Sequence, residues 1–459
     1  MKPVPSSPVV RPFAGYIGVA REDITPPIGI YSRSWGAAKH DVAEGVHRPL
    51  TLTCITFQKS REQSPLVLLA ADLGWWKSLE DERQFRQGVL EALSLKPSQL
   101  MMCLSHTHAG PSLSTENAQK PGGELIAPYL RELRERAVRA AQRAMKKGTK
   151  ASLSWRYDKC TLATCRDLPD PERDRFIVGF NPERPADDTL LVGRITDESQ
   201  KLLAVIINYA CHPTTLAWEN RLLSPDYIGA MRETVEKQTG APCLFLQGAS
   251  GELAPAEQYT GDVAVPDAHG RRLGYAALSA LEGMLPPASR LVFSGVVESG
   301  APLAIWQRQP QEASTILLSE MLEMELPLKE LPSLAELERK WQECTDYVMK
   351  ERLWRNRAVR KMVGDGSTAR FGVWLWRLGD ALLIGQPNET YSRFQMDLRS
   401  ELSPSPVAVM NVTNGHLGYL PPRELFEHDV YQVWQTPFAP GGLELLTERT
   451  QQAARRFKG

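Results

Sequence analysis

The 459-residue sequence has no apolar run approaching the roughly 18 residues of a membrane span. Its longest such stretch, Leu202 to Ala210, has the length of a strand. It has no excess of either charge, since 54 Lys and Arg balance 54 Asp and Glu. Nothing in that balance marks a nucleic-acid or anionic-membrane surface. The opening residues, MKPVPSSPVVRPFAG, carry prolines where a secretory signal carries an apolar core. Seven cysteines without CxxC spacing are an odd set, which favours reduced, buried thiols and a cytoplasmic setting over a disulfide framework. There is no internal repeat and no low-complexity linker. Collagen-like, disordered and membrane-spanning classes are excluded. What is present, 42% hydrophobic and 24% charged residues, is ordinary globular composition. The length suits two or three domains of roughly 100–200 residues, or one large α/β domain with insertions.

Along the first two-thirds, short apolar runs alternate with helical patterns. Pro65 to Asp72, Leu100 to Ser105, Leu202 to Tyr209 and Pro242 to Leu246 have strand length and composition. Helices are predicted over 79–93, 128–147, 227–239 and 270–285. The 128–147 helix has Pro128 in its first turn and Gly148 as its stop. Its Arg and Lys residues are interleaved with Glu132 and Glu135, the pattern of a solvated outer face. The run Leu202 to Tyr209 is apolar on both faces, as expected of a strand between helix layers. The pattern is α/β, with a large parallel or mixed sheet flanked by helices. Beyond residue 290 it changes. Residues 334–363 read as one long charged helix opening on a Ser333–Glu336 capping box, and Arg370 to Ile384 as a hairpin turning at Gly379-Asp380. Residues 305–335 have the composition of an insertion or lid.

The chemistry-bearing residues follow the apolar runs. Asp72, the pair His106 and His108, His212, and the turn Gln247 to Glu252 each stand at the end of a predicted strand. In open α/β sheets ligands bind beyond the carboxyl ends of the strands, so four such endings suggest one shared site. In extended chain, residues i and i+2 share a face, which would aim His106 and His108 into one cleft. Such a pair fits a metal site, a surface pair or two satisfied core histidines. With His212, held by the following Pro213, three imidazoles plus oxygen ligands suit zinc. Ser250 does not make a serine-hydrolase elbow, because residues 248–252 lack the final glycine of G-x-S-x-G.

The ordered segments VAREDITPP (19–27), EGVHRPL (44–50), SHTHAGP (105–111), NYACHPT (208–214), SPDYIGAMRETVE (224–236), LQGASGELAP (246–255), GQPNET (385–390) and NGHLGYLPPRELFEHDVY (414–431) resemble the neutral ceramidase family. The resemblance covers roughly residues 14–450 and fails to match around 305–365. It implies a neutral-ceramidase-like catalytic domain over residues 14–459, with a helical insertion at about 305–365 and residues 1–13 as a tail. It also implies Zn²⁺ as cofactor. Carried over residue by residue, the zinc ligands are His106, His212, Glu389 and Tyr419. His108 stands beside the attacked carbonyl, and Tyr431 and Arg166 stabilise the oxyanion. A helix-capping Glu389, a packed Tyr419 and a surface Arg166 are the alternative readings. Asp72 and Asp226 either orient ligand imidazoles through their free N–H groups or act as caps. His416, three residues before Tyr419, has no assigned role.

Two departures bear on substrate. Where neutral ceramidases carry a serine this chain has Gly248, and Glu252 replaces an aspartate. The chain also leaves no room for the immunoglobulin-like domain that follows their catalytic domain. The expectation is a zinc-dependent hydrolase of an amide or ester, using metal-activated water, on a small or lipid-like acyl amide. Long-chain ceramide is expected to be a poor substrate, with Gly248 and Ser250 lining the pocket and Gly248 leaving room near the metal. The alternatives are a metal-binding relative without turnover, and a zinc esterase or lactonase on a small soluble substrate.

Overall fold

A computed structural model describes residues 10–458; of the expected tail, residues 1–9 lie outside the described residues. Eight strands form the larger sheet: β1 (Phe13–Asp23), β2 (Thr51–Gln58), β3 (Leu66–Ala71), β4 (Leu100–Leu104), β5 (Thr149–Lys159), β6 (Thr189–Asp197), β7 (Leu202–Tyr209) and β8 (Cys243–Gln247). Their order is β8-β7-β6-β5-β1-β2-β3-β4. Pairing is antiparallel through the middle and parallel in the outermost pair at each edge. A second sheet, in the order β9-β10-β11-β12, comprises β9 (Leu317–Pro327), β10 (Thr368–Leu378), β11 (Ala381–Gly385) and β12 (Val407–Met410). The hairpin expected at Gly379-Asp380 is β10–β11, and Gly379 supplies the positive φ, 62°, of its turn.

Strand periodicity decides what each sheet face buries. In β3, Val67, Leu69 and Ala71 pack with Phe85 and Val89 of α1 (Leu79–Leu93) and with Leu133, Ala137 and Ala141 of α2 (Ile126–Lys147). The alternate residues Leu66, Leu68 and Ala70 pack against Trp374, Trp376, Leu383 and Met410 of the second sheet. The same division holds in β7. Val205, Ile207 and Tyr209 meet α3 (Tyr227–Thr239) and α4 (Ala264–Glu282), whereas Ala204 and Ile206 meet the second sheet. The expectation of helices on both sides of β7 is thus corrected: one side is a helix layer and the other a sheet. A final helix layer, α7 (Arg393–Glu401) and α9 (Gly442–Lys458), covers the far face of the second sheet. Between those two comes the short α8 (Tyr431–Gln435).

The larger sheet coils until its edge strands β8 and β4 approach each other. The segment Asn411–Asn414, leaving β12, fills the gap. Asn411 N donates to Gln247 O at 3.0 Å, Leu104 N to Val412 O at 3.4 Å and Asn414 N to Met102 O at 3.0 Å. Strand ends far apart in sheet order are thereby brought to one place.

The region expected as a helical insertion is only partly helical. Residues 302–310 form the second strand of a hairpin with Ser289–Glu298, and β9 belongs to the second sheet. The expected single helix is two, α5 (Leu334–Glu343) and α6 (Tyr347–Val363). The chain breaks at Cys344 to Asp346 because Asp346 caps a new start, its side chain accepting from Met349 N at 2.7 Å. Among the described residues no helix is long and apolar enough to cross a membrane, and the seven cysteines are free thiols, six of them buried.

Candidate metal centre

Three reversals of the backbone deliver the site. Beyond β4 the amides of Ser105 and His106 donate to Ala71 O and Leu73 O, each at 2.9 Å, and His106 takes a left-handed φ of 68°. The two imidazoles of His106 and His108 do face each other, ring centroids 5.1 Å apart. A left-handed turn brings them there, in place of the extended pleat expected from spacing. His212 follows β7 and donates its amide to Leu253 O at 2.8 Å. Glu389 and Tyr419 are register partners in a two-residue parallel ladder. The loop that feeds Tyr419 winds through positive φ at Val412, Asn414, Gly415 and Gly418. Backbone strain of this kind persists where surrounding structure fixes it, often at sites.

Glu389 is the centre of the cluster and only 4% exposed. Its Oε2 lies 3.2 Å from His106 Nε2 and 2.9 Å from His212 Nε2, and its Oε1 lies 2.8 Å from His416 Nε2. Burial opposes a charge on this carboxyl, but His106, by its charge and its hydrogen bond, and the bond from His416 outweigh it and hold it well below the usual carboxylate range. Ring nitrogens of His106, His108 and His212 also lie within 4.8 Å of one another, close enough to share a metal ion.

Counting protons tests whether an ion fits. His212 Nδ1–H donates to Ser250 O at 2.6 Å, which uses the single proton of a neutral imidazole. The Nε2 lone pair then faces a carboxylate oxygen at 2.9 Å with no hydrogen between them. Burial first, and Arg166 next, push His212 down to about 3, which disfavours the doubly protonated ring. A cation shared by Nε2 and Oε2 removes the conflict. Donors on one tetrahedral zinc at about 2.0–2.2 Å stand roughly 3.4 Å apart, near the separations found. His106 Nδ1 and His108 Nε2 are buried without a hydrogen-bond partner among the described residues. The donor chemistry, imidazole nitrogen with carboxylate and phenol oxygen, suits zinc.

Tyr419 lies beside this cluster. Its Oη accepts from Arg166 Nη2 at 3.2 Å, and the same nitrogen is 3.4 Å from His212 Nε2. Arg166 is 3% exposed and also donates to Gly251 O through Nε and Nη2, at 3.2 and 2.7 Å. Its hydrogen bonds thus go to protein groups of the cluster. Tyr431 stands further out, its ring 5.7 Å from that of Tyr419, and its Oη accepts from Arg355 Nη1 of α6 at 3.0 Å. His108 is half-buried between Trp35 and Trp75, at 5.2 and 4.8 Å. Burial, then the neighbouring His106 and His212, holds it well below the ordinary histidine value.

Other expected residues lie elsewhere. Asp72 reaches no imidazole; it accepts from Arg232 at 2.6 Å and from Thr51. Asp226 caps α3, accepting from Tyr227 N at 2.7 Å and from Leu216 N at 2.9 Å, so its capping alternative describes it. Gly248 does not open space beside the cluster. A Cβ there would stand 2.9 Å from Ala210 Cβ and 2.9 Å from Gln395 Oε1, and its φ is not positive. Ser250 contributes its carbonyl to His212 while its hydroxyl accepts from Gln247 at 2.7 Å. Sequence reasoning left His416 unassigned and did not find Trp35, Trp75 or Arg355. Only the nearness of His416 to Tyr419 was legible; the other three come from loops and from α6, which carry no pattern of their own.

No protein-family model matches the sequence, and no curated protein matches it. Solved structures do match its fold. One is a ceramidase complexed with C2, with 15% identity and a TM-score of 0.66 over 97% of this chain and 76% of that one. Another is the neutral ceramidase from Pseudomonas aeruginosa, with 17% identity and a TM-score of 0.66 over 97% of this chain and 75% of that one. The chain has the neutral ceramidase fold, as the resemblance implied.

Proposed function

We propose that this chain is a zinc-dependent hydrolase of linear acyl amides, with residues 14–459 acting as one catalytic unit. The observation that carries the reading is the unprotonated contact between His212 Nε2 and Glu389 Oε2, with His106 Nε2 on the same oxygen. His106, His212, Glu389 and Tyr419 would hold the ion. When bound, zinc supplies Lewis acidity, lowering the pKa of a water to about 7 and polarising a carbonyl.

The protein's own groups do the rest. Arg166, by donating to Tyr419 Oη, holds that oxygen towards the cluster and offsets part of the burial and Glu389 charge that push the phenol well above its ordinary value. His108 Nε2, neutral and without a partner, accepts a proton from the attacking water and returns it to the leaving amine nitrogen. Tyr431 donates its hydroxyl proton in a hydrogen bond to the carbonyl oxygen as charge develops. Arg355 fixes that phenol, and its donated N–H makes the hydroxyl a better donor. Trp35 and Trp75 offer aromatic walls to an acyl chain beside His108. Seven free thiols suit a reducing compartment.

A panel of N-acyl amides, esters and lactones assayed with chelator-treated and zinc-restored chain tests the reading. Amide cleavage that appears only with zinc is expected. Zinc-loaded protein that cleaves no amide would leave a metal-binding relative without turnover, and preference for esters or lactones would move the substrate class.

A further inference from the structure

Several cations around the candidate site are matched by carboxylates. Arg33 pairs with Asp41 at 3.4 Å, Arg355 with Glu351 at 3.1 Å, and Arg221 with Glu44. Lys77 has no ion pair among the described residues. Its Nζ lies 5.1 Å from the centre of the Trp75 ring and, among the described residues, donates only a long hydrogen bond, 3.5 Å, to Arg33 O. Trp75 is the ring that packs on His106 and His108, at 5.3 and 4.8 Å. The loop that accepts from Lys77 continues to Ser34, whose hydroxyl donates to His108 O. The ammonium therefore stands one aromatic ring away from the cluster.

Lys77 is half-buried, and a partly desolvated ammonium with no carboxylate in contact is held at some cost. Burial, then Arg355, pushes Lys77 down to about 8, against the pull of Glu351, so it keeps its charge near neutrality at that cost. A natural partner is an anion brought by the substrate. We propose that Lys77 binds a carboxylate carried by the amide substrate, so that the favoured class is an N-acyl amino acid whose acyl chain lies on the Trp35 and Trp75 faces. Hydrolysis would break the amide C–N bond, water giving OH to the acyl carbon and its proton to the nitrogen. A fatty acid and a free amino acid leave. This rests on the hydrolase reading only for the cleavage step; recognition of the carboxylate does not need turnover.

Binding to the chelator-treated full chain separates the two claims. Isothermal titration with N-octanoylglycine and with its neutral counterpart N-octanoylethanolamine should show about tenfold or greater preference for the anion, the size of one charge-assisted hydrogen bond. Lys77→Met should close that gap, and Lys77→Arg should keep most of it. Equal affinity of the unaltered chain for the two ligands overturns the proposal without any variant, and a preference that survives in Lys77→Met overturns the assignment to Lys77. If the preference holds while zinc-loaded chain cleaves no amide, the hydrolase reading fails and the carboxylate site stands. If amides are cleaved with no preference in binding, the reverse holds.

Discussion

Glu389 and Tyr419 sit opposite each other in a parallel ladder of two residues, with Glu389 N donating to Gly418 O at 2.9 Å. Thirty positions apart in sequence, the two proposed oxygen ligands are fixed by one short piece of backbone. The ladder depends on the turn at Gly418, whose φ is 94°, a conformation that glycine adopts readily and other residues seldom do.

Gly418→Ala should therefore disturb both ligands without touching either. Strain at such a position costs about 1–3 kcal/mol, and loss of ligand support typically weakens metal binding about 10–100-fold. Competition with a zinc chelator measures this, and unchanged affinity would show that the ladder does not position the ligands.

Gly248→Ser should destabilise by about 1–3 kcal/mol, as overpacking of a filled interior does. The added Cβ meets Ala210 and the Gln395 amide oxygen, both at 2.9 Å. That amide oxygen accepts from Ala249 N, so a shift would reach the turn before Ser250. Urea unfolding gives the difference; a neutral or stabilising serine would mean that the turn relaxes at no cost.

His108→Ala and Tyr431→Phe should each lower turnover about 10²–10³-fold while zinc content stays at the level of the unaltered chain. His108 comes near His106 and His212, but neither it nor Tyr431 hydrogen-bonds Glu389 among the described residues, and in the proposed ligand set neither holds the ion. Loss of zinc in either variant would move that residue into the ligand set.

Much of this arrangement was legible in the residues. The helices over 79–93 and 227–239 and the strand over 202–209 match their predicted bounds, because apolar spacing and stop signals coincide there. The convergence of His106, His108 and His212 was also readable, from polar residues at strand ends. The coiling that brings β4 beside β8 was not, since it depends on the long-range insertion of Asn411–Asn414. Asp72 and Asp226 looked equally able to orient an imidazole or to serve elsewhere; Arg232 and the start of α3 claim them. Gly248 looked like open space because sequence shows a missing side chain and not the Ala210 and Gln395 atoms that occupy its volume.

Glu252 carries a pH dependence of stability. Burial pushes its carboxyl up from 4.5 to about 7, while bonds from Ser392 pull the other way. The native chain then holds a proton that the unfolded chain has released, so stability falls as pH rises from about 4.5 to about 7 and stays lower above. The contribution is on the order of 3 kcal/mol. Glu252→Gln, compared with the unaltered chain by urea unfolding at pH 5 and pH 8, should gain relative stability at pH 8. A difference that does not change with pH would contradict the account.

Calorimetric titration of zinc into the dialysed full chain, alongside His106→Ala and His212→Ala, tests the central claim most directly. The account predicts one zinc per chain, and binding lost or weakened by orders of magnitude in both variants, because each removes a nitrogen from the oxygen of Glu389. No zinc bound by the unaltered chain, or binding in both variants as tight as in the unaltered chain, would contradict it.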